Sequence, residues 1–356
     1  MKYLSLFSGI GGFELGIQQA YERLLDNKSE AEQLSSQQNI GSDNSDNVQG
    51  TPTCIGYSEI DKYAIQVYEK HFPEHRNFGD ITKINPAELP DFDLVVGGFP
   101  CQAFSIAGKR RGFDDTRGTL FFDIARILKV KRPKFLLLEN VKGLLSHDSG
   151  RTFKTIISTL VELGYDLQWQ VLNAKNFGVP QNRERVFIIG CLGGFGGRKV
   201  FPIGETGQII NQTQKLSEQN SNTLQTNYSN GHSNETYIGE LNYVGAIMSE
   251  NNQKWLKQGK ELSREFPQGQ RVYNIKGIST TIASQAGGLG AKTGLYKIDD
   301  LKIRRLTPIE CERLMGFPDN WTAEGTEGKI SDTQRYKMCG NGVVVNVVKE
   351  IIKRLL

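Results

Sequence analysis

The feature that most constrains the fold is an alternation in the first half of the chain: short apolar runs, each followed by a segment of helical periodicity. KYLSLFSG runs into the glycine turn Gly9-Ile10-Gly11-Gly12, and FELGIQQAYERLL follows with apolar residues spaced along one helix face. CIGYSEI precedes the helical KYAIQVYEKHF, and DFDLVVGGF ends at Pro100-Cys101 ahead of TLFFDIARILK. KFLLLEN ends at Glu139-Asn140, TFKTIISTLVELG is helical again, and RVFIIGCL closes the run. Apolar strands alternating with amphipathic helices predict an α/β fold with a largely parallel sheet covered on both faces. Such sheets bind ligands beyond the carboxyl ends of their strands. The glycine turn, Glu59, Cys101 and Glu139 all fall at such ends.

Beyond about Leu192 the pattern changes. Residues 205–236 are dominated by Asn, Gln, Thr, Ser and Gly, and an earlier polar stretch from about Asp26 to Thr51 reads as a flexible surface insertion. From Tyr243 to Tyr296, strand-like pieces such as RVYNI and STTIA alternate with glycine turns, including Gly287-Gly288, which predicts a second, smaller domain rich in loops and β structure. The closing VVVNVVKEIIKRLL sets Val344, Val347, Val348, Ile351, Ile352 and Leu355 on one apolar face, so the chain is expected to return to its first domain. The predicted division is 1–192, 193–329 and a returning segment at 330–356.

Composition narrows the function classes. No run of 18 apolar residues exists, so no membrane span is expected. Lys2 precedes a short apolar run, but glycines break it early, which argues against a signal peptide; a cytoplasmic protein is expected. Five cysteines at wide spacings, with no CxxC pair, argue against a disulfide framework and a zinc cage, and no metal is expected. Four of the five read as buried thiols. The net charge of +4 says little by itself, but Lys109, Arg110, Arg111 and Arg117 cluster, as do Lys302, Arg304 and Arg305. Each cluster is either a solvated face or a phosphate contact.

Taken singly, the candidate residues leave alternatives open. A glycine turn between strand and helix lets a nucleotide-like ligand approach the backbone, though FSGIGG lacks the GxGxxG spacing and many such turns bind nothing. Glu59 suits a ribose diol, or simply caps the next helix. Pro100 restricts the backbone before Cys101, at a strand end where a packing thiol is poorly placed. Nearby Arg/Lys residues and a helix N-terminus are expected to favour its thiolate. Glu139 is either a burial-tuned acid or a structural carboxylate.

Eight segments, in order, closely resemble motifs of bacterial DNA cytosine-5 methyltransferases: LFSGIGGFELG, SEID, GDIT, GGFPCQAFSIAGKRRGFDDTRGTLFFDIARIL, LLLENVKGL, QNRERVFIIG, RRLTPIECERLMGFPDNW and GNGVVVNVV. The resemblance covers about residues 1–26, 54–192 and 300–356, and is to compact type II restriction–modification enzymes of the HhaI type. It implies the Rossmann-like sheet of S-adenosylmethionine-dependent methyltransferases, a smaller target-recognition domain, and methyl transfer to cytosine C5 in double-stranded DNA. Phe7, Gly9 and Gly11 would line the S-adenosylmethionine site; Glu59 would hold the ribose, and Ile60, Asp80 and Ile81 would contact the adenine. Pro100 and Leu120 would border the donor, and Asn341 and Val343 would close the pocket. Cys101 would be the nucleophile that adds to C6, Glu139 the partner of N3, and Arg183 and Arg185 would hold the target ring and the flipped nucleotide. The base must leave the duplex for this chemistry, and Ser105 to Arg117 corresponds to the family's closing loop, with Gln102, Ser105, Lys109 and Arg117 as DNA contacts. Some relatives carry serine where this chain has Ala107. In PQGQR, Gln268 would fill the gap left by the flipped base, and Arg271 would read guanine.

Two rival readings share parts of this pattern. One is a tRNA cytosine-5 methyltransferase, opposed by a recognition region of more than a hundred residues. The other is a non-catalytic DNA-binding homologue, opposed by the presence of Cys101, Glu139, Arg183 and Arg185 together. A zinc deaminase is rejected, because PCQAF replaces PCxxC and no His begins an HxE motif. Monomeric action is expected, since flipping one base needs no two-fold partner. A cognate restriction endonuclease would act separately.

Overall fold

The computed structural model describes residues 1–38, 51–101, 120–204, 243–250, 253–257, 271–274, 279–284, 293–297 and 303–356. Within these, the side chains of 27–38, 243–257, 271, 272, 274, 297, 303 and 304 are not described.

The first half of the chain forms a six-stranded sheet. Its strands are β1 (Lys2–Leu6), β2 (Thr53–Ser58), β3 (Leu94–Gly98), β4 (Phe135–Val141), β5 (Tyr165–Asn173) and β6 (Glu184–Leu192), in the spatial order β2-β1-β3-β4-β6-β5. The pairs β1–β2, β1–β3 and β3–β4 are parallel, and β6 runs antiparallel to both neighbours. The chain leaves β1 toward one side of the sheet and returns on the other, so the order reverses between β1 and β3. A crevice opens at such a reversal, beyond the carboxyl ends of the strands.

Alternation along the strands divides the core into two layers. Tyr3, Leu94, Val96 and Leu137 point into one buried cluster, and Leu4, Val95, Leu136 and Leu138 into the other. The first layer is covered by α1 (Gly12–Gln38), α2 (Lys62–His71) and the C-terminal α7 (Val345–Leu355); the second by α3 (Leu120–Lys131) and α4 (Arg151–Glu162). The expected return of the C-terminus is explicit, because Val345, Val347, Val348, Ile351, Ile352 and Leu355 are all buried. A Cβ on Gly16 of α1 would lie 2.7 Å from the Val348 side chain, so glycine permits the close approach of the two helices.

Two features differ from the sequence reading. The segment expected to become a surface insertion at Asp26 continues α1 as far as Gln38. Its residues are polar, but most are compatible with a helix, and a polar stretch hides that compatibility when only apolar periodicity is read. Strand β5 was not anticipated, because Gln168 and Gln170 interrupt its apolar pattern. Their side chains are spent on backbone: Gln168 accepts from the Val200 and Phe201 amides, and Gln170 accepts from the Ile203 amide and donates to its carbonyl. Leu306, α5 (Pro308–Met315), Phe317 and Trp321 are buried in one cluster with α1 and α7, and that cluster also takes in Tyr273, Ile282 and Tyr296.

A second sheet of five short strands comprises β7 (Tyr243–Glu250), β8 (Gln253–Lys257), β9 (Arg271–Asn274), β10 (Leu295–Lys297) and β11 (Ile303–Arg304), ordered β11-β10-β9-β7-β8. Between β9 and β10, residues 279–284 form an extended strap against the segment that enters β6, with the Asn182 amide donating to the Ser279 carbonyl and the Ser279 amide to Pro180. Among the described residues, no helix is long and apolar enough to cross a membrane.

Candidate active site

The carboxyl edge of the first sheet gathers most of the predicted residues. Phe7, Gly9 and Gly11 all have positive φ, which turns the chain sharply from β1 into α1. A Cβ on Gly9 would meet no heavy atom within 4 Å, so the backbone there is open to a ligand; on Gly11 it would lie 2.4 Å from the Phe72 ring. Glu59, just past β2, braces this turn. Its Oε2 accepts the Gly9 N–H at 2.9 Å, and its Oε1 accepts the Ile60 and Asp61 N–H groups, each at 2.8 Å. A carboxylate offers about four acceptor positions, so room remains on Oε2 for a hydroxyl.

Ile60 is 73% exposed, an apolar side chain standing free beside that carboxylate. Asp61 caps α2, accepting from the Tyr63 and Ala64 amides, and takes Lys337 of α6 (Asp332–Asn341) at 2.6 Å. Asp80 accepts from the Thr82 hydroxyl and amide, and these bonds lower its pKa. Ile81, by contrast, is 3% exposed and sits in the α3-side core, so its expected partner is core rather than open space. Pro100 is exposed, Leu120 half-buried at the start of α3, and Asn341 exposed at the end of α6. Val343 is buried against α1, 2.8 Å from where a Cβ on Gly12 would lie. An open glycine backbone, a free apolar face and a braced carboxylate fit an adenosine-bearing ligand.

The next two strand ends carry the reactive groups. Gly98 of β3 pairs with Glu139 of β4, and a Cβ on Gly98 would lie 3.2 Å from Glu139 Oε2. Asn140 donates from Nδ2 to the Phe99 carbonyl at 2.8 Å, which ties β4 to the segment leading into Pro100-Cys101. Sequence reading quoted Asn140 but gave it no role, since a side chain that holds a backbone carbonyl leaves no spacing signature. Trp321 was likewise missed: its indole N–H donates to the Ile10 carbonyl, and His71 stacks on its ring at 3.5 Å.

Cys101 is the exposed cysteine of the five; Cys191, Cys311 and Cys339 are buried and Cys54 is half-buried. Among the described groups, burial is what acts on the Cys101 thiol, and it pushes the pKa up. The basic residues expected beside it fall in 102–119, outside the described residues.

Glu139 has a side chain only 11% exposed, and Arg185 Nε lies 3.0 Å from its Oε1. Burial raises the carboxyl's pKa, while the charges of Arg185 and Arg183 work against that rise. The two arginines are arranged differently. Arg185 is partly exposed and faces Glu139. Arg183 is 2% exposed and turns away from any open space, donating from Nη1 to the Ile282 carbonyl and from Nη2 to those of Gly340 and Gly342. Desolvation pushes its pKa down to about 9. Its two Nη groups are committed to protein carbonyls, partners that no sequence pattern announces. Gln102, Ser105, Lys109, Arg117 and Gln268 lie outside the described residues, and Arg271 opens β9 with its side chain likewise outside them.

Comparison with known proteins agrees with this geometry. The family described as C-5 cytosine-specific DNA methylase matches residues 1–356. The chain is 35% identical to the type II methyltransferase M.HhaI of Haemophilus parahaemolyticus, over 99% of this chain and 93% of that protein. It is 37% identical to the type II methyltransferase M1.ScrFI of Lactococcus lactis subsp. cremoris, over 100% of this chain and 78% of that one. In fold it resembles the crystal structure of S. pombe Dnmt2 methyltransferase, with a TM-score of 0.62 at 19% identity, covering 100% of this chain and 98% of the other. The chain belongs to the C-5 cytosine-specific DNA methylase family.

Proposed function

We propose that this DNA cytosine-5 methyltransferase acts on a cytosine swung out of duplex DNA, with Cys101 as nucleophile, Glu139 as the acid at ring N3 and S-adenosylmethionine as donor. The observation that carries the reading is the pairing of Gly98 with Glu139 beside the Asn140–Phe99 bond: an exposed thiol follows by three residues a glycine that faces a buried acid. Cytosine C5 is too poor in electrons to accept a methyl group unaided. Addition of the Cys101 thiolate to C6 pushes electrons toward C5, and a proton held by Glu139 at N3 stabilises the resulting ring. Burial raises the hold of Glu139 on that proton, while Arg185 fixes the carboxyl's orientation. Loss of the C5 proton then expels the sulfur.

The donor, when bound, supplies a methyl group on a sulfonium. Phe7, Gly9, Gly11, Glu59, Ile60, Asp80, Pro100, Leu120, Asn341 and Val343 are the residues assigned to hold it. Ile81 backs that surface from the core. Gln102, Ser105, Lys109, Arg117, Gln268 and Arg271 are assigned to DNA, and residues 193–329 to target recognition. The protein is proposed to act as a monomer, as the protective methylase of a restriction–modification system.

The test is a duplex carrying 5-fluorocytosine in the methylated context, first located by bisulfite sequencing of DNA from expressing cells. With the donor present, the wild type is expected to become cross-linked through Cys101, and Cys101→Ala to show neither cross-link nor turnover. Methyl transfer to tRNA alone, or full turnover by the variant, would overturn the reading.

A further inference from the structure

Arg183 stands at the crossing of three segments that are far apart in sequence. The strap 279–284 passes over the end of α6 so closely that a Cβ on Gly340 would lie 2.4 Å from the Ser284 amide nitrogen. Beyond that crossing, the 340–343 turn presses on the start of α1, with the Val343 carbonyl oxygen 3.0 Å from where a Cβ on Gly12 would be. One guanidinium holds both. Its Nη1 reaches the strap at the Ile282 carbonyl (3.1 Å), and its Nη2 spans the turn through the Gly340 and Gly342 carbonyls (3.0 and 2.7 Å). Neighbouring bonds pin the strap further: the Gln181 side chain accepts from the Ile282 amide, and the Thr281 hydroxyl donates to the Asn182 carbonyl.

Burying a guanidinium this completely is costly. Carbonyls from two segments repay part of that cost only while strap and turn keep one relative position. Arg183 Nε is itself buried without a hydrogen-bond partner. The strap follows β9 of the second sheet, while the turn carries Asn341 and Val343, the two residues assigned to close the donor site. Two residues further along the same strand direction, Arg185 meets Glu139.

We propose that Arg183 is a positioning residue that couples the strap from the second sheet to the turn closing the donor site. The proposal rests on the reading above of that site as the one for S-adenosylmethionine. Order imposed on the turn by a ligand passes to the strap through the shared guanidinium, and by reciprocity order imposed on the strap tightens the donor site. A lysine retains the charge but, as a single ammonium, cannot fork to carbonyls on both sides.

Amide hydrogen exchange on the whole protein, with and without saturating S-adenosylhomocysteine, tests this without turnover or a known DNA target. In the wild type, the ligand is expected to slow exchange in 279–284 by about tenfold, a typical coupling factor, together with 9–12 and 340–343. In Arg183→Lys, protection at 9–12 persists at saturation, protection of the strap disappears, and the dissociation constant by calorimetry rises about tenfold through the lost charge-assisted bonds. Thr281→Val, which removes the hydroxyl's bond to the Asn182 carbonyl, is expected to lose strap protection and, by the same reciprocity, to raise the dissociation constant several-fold, up to about tenfold, and carries the test if Arg183→Lys does not fold. Strap exchange indifferent to the ligand in the wild type, or equal protection in wild type and variants, overturns the coupling. Failure of the wild type to bind S-adenosylhomocysteine overturns the donor-site reading instead, a result calorimetry reads separately.

Discussion

Two of the enclosed carboxylates among the described residues, Glu14 and Glu139, are enclosed for different ends; a third, Glu312, is buried against Arg335 and Thr322. Glu14, in the first turn of α1, is fully enclosed; the Tyr68 hydroxyl donates to its Oε1, and its Oε2 has no hydrogen-bond partner among the described residues. Burial pushes its pKa up to about 7. Glu139 is also raised by burial, but it stands at the carboxyl end of β4, opposite Gly98, with Arg185 at 3.0 Å. A raised carboxyl is therefore no mark of chemistry by itself. What separates the two is what surrounds them: Glu14 faces Tyr3, Cys54 and Tyr68 within the core, whereas Glu139 neighbours the backbone that delivers Cys101.

The sharpest test of that contrast is kinetic. Glu139→Gln is expected to lower methyl transfer to duplex DNA by about 100- to 10,000-fold, the usual contribution of a general acid or base. Glu14→Gln is expected to leave it within about twofold, since the group lies outside the proposed chemistry. Equal losses in the two variants would break the distinction drawn here.

How much of this was legible in the sequence depends on what each residue touches. Strand ends could be read because apolar runs stop abruptly at Gly9, Glu59, Cys101 and Glu139, and the sheet brings those ends to one edge. The return of α7 was legible in its apolar face. The partners of Arg183 were not legible because they are the carbonyls of residues 282, 340 and 342, which every residue type possesses and no pattern reveals. Glu14 went unnoticed because a single Glu in an amphipathic helix normally faces water. The basic neighbours expected to acidify the Cys101 thiol lie in 102–119, outside the described residues, and among the described groups burial acts on it the other way.

That last difference gives an intermediate effect. Without DNA, iodoacetamide should label Cys101 more slowly at pH 8 than it labels an unstructured cysteine peptide, with a midpoint above the ordinary thiol range. Peptide mass spectrometry across a pH series measures it. Labelling faster than the peptide would mean that cations do reach the sulfur in the free enzyme, and would shift the burden of activation away from the substrate complex.

The smallest effect concerns stability, and here the two carboxylates should differ in sign. A carboxyl raised in the folded state binds its proton more tightly there than in the unfolded chain. Glu14 therefore favours folding at low pH, and the contribution is lost as pH climbs from its ordinary 4.5 through about 7. The loss amounts to about 3 kcal/mol at most, less whatever the interior relaxes. Glu14→Gln should flatten this decline, seen as a smaller drop in urea midpoint between pH 5 and pH 8 than in the wild type. Glu139→Gln should instead lower the midpoint most toward the upper end of that range, where the ionised carboxylate is the counter-charge of Arg185 and of the buried Arg183. If Glu14→Gln retains the full wild-type decline, the buried acid of α1 is not the group that sets it, and the contrast between a sealed carboxyl and a partnered one loses its thermodynamic half.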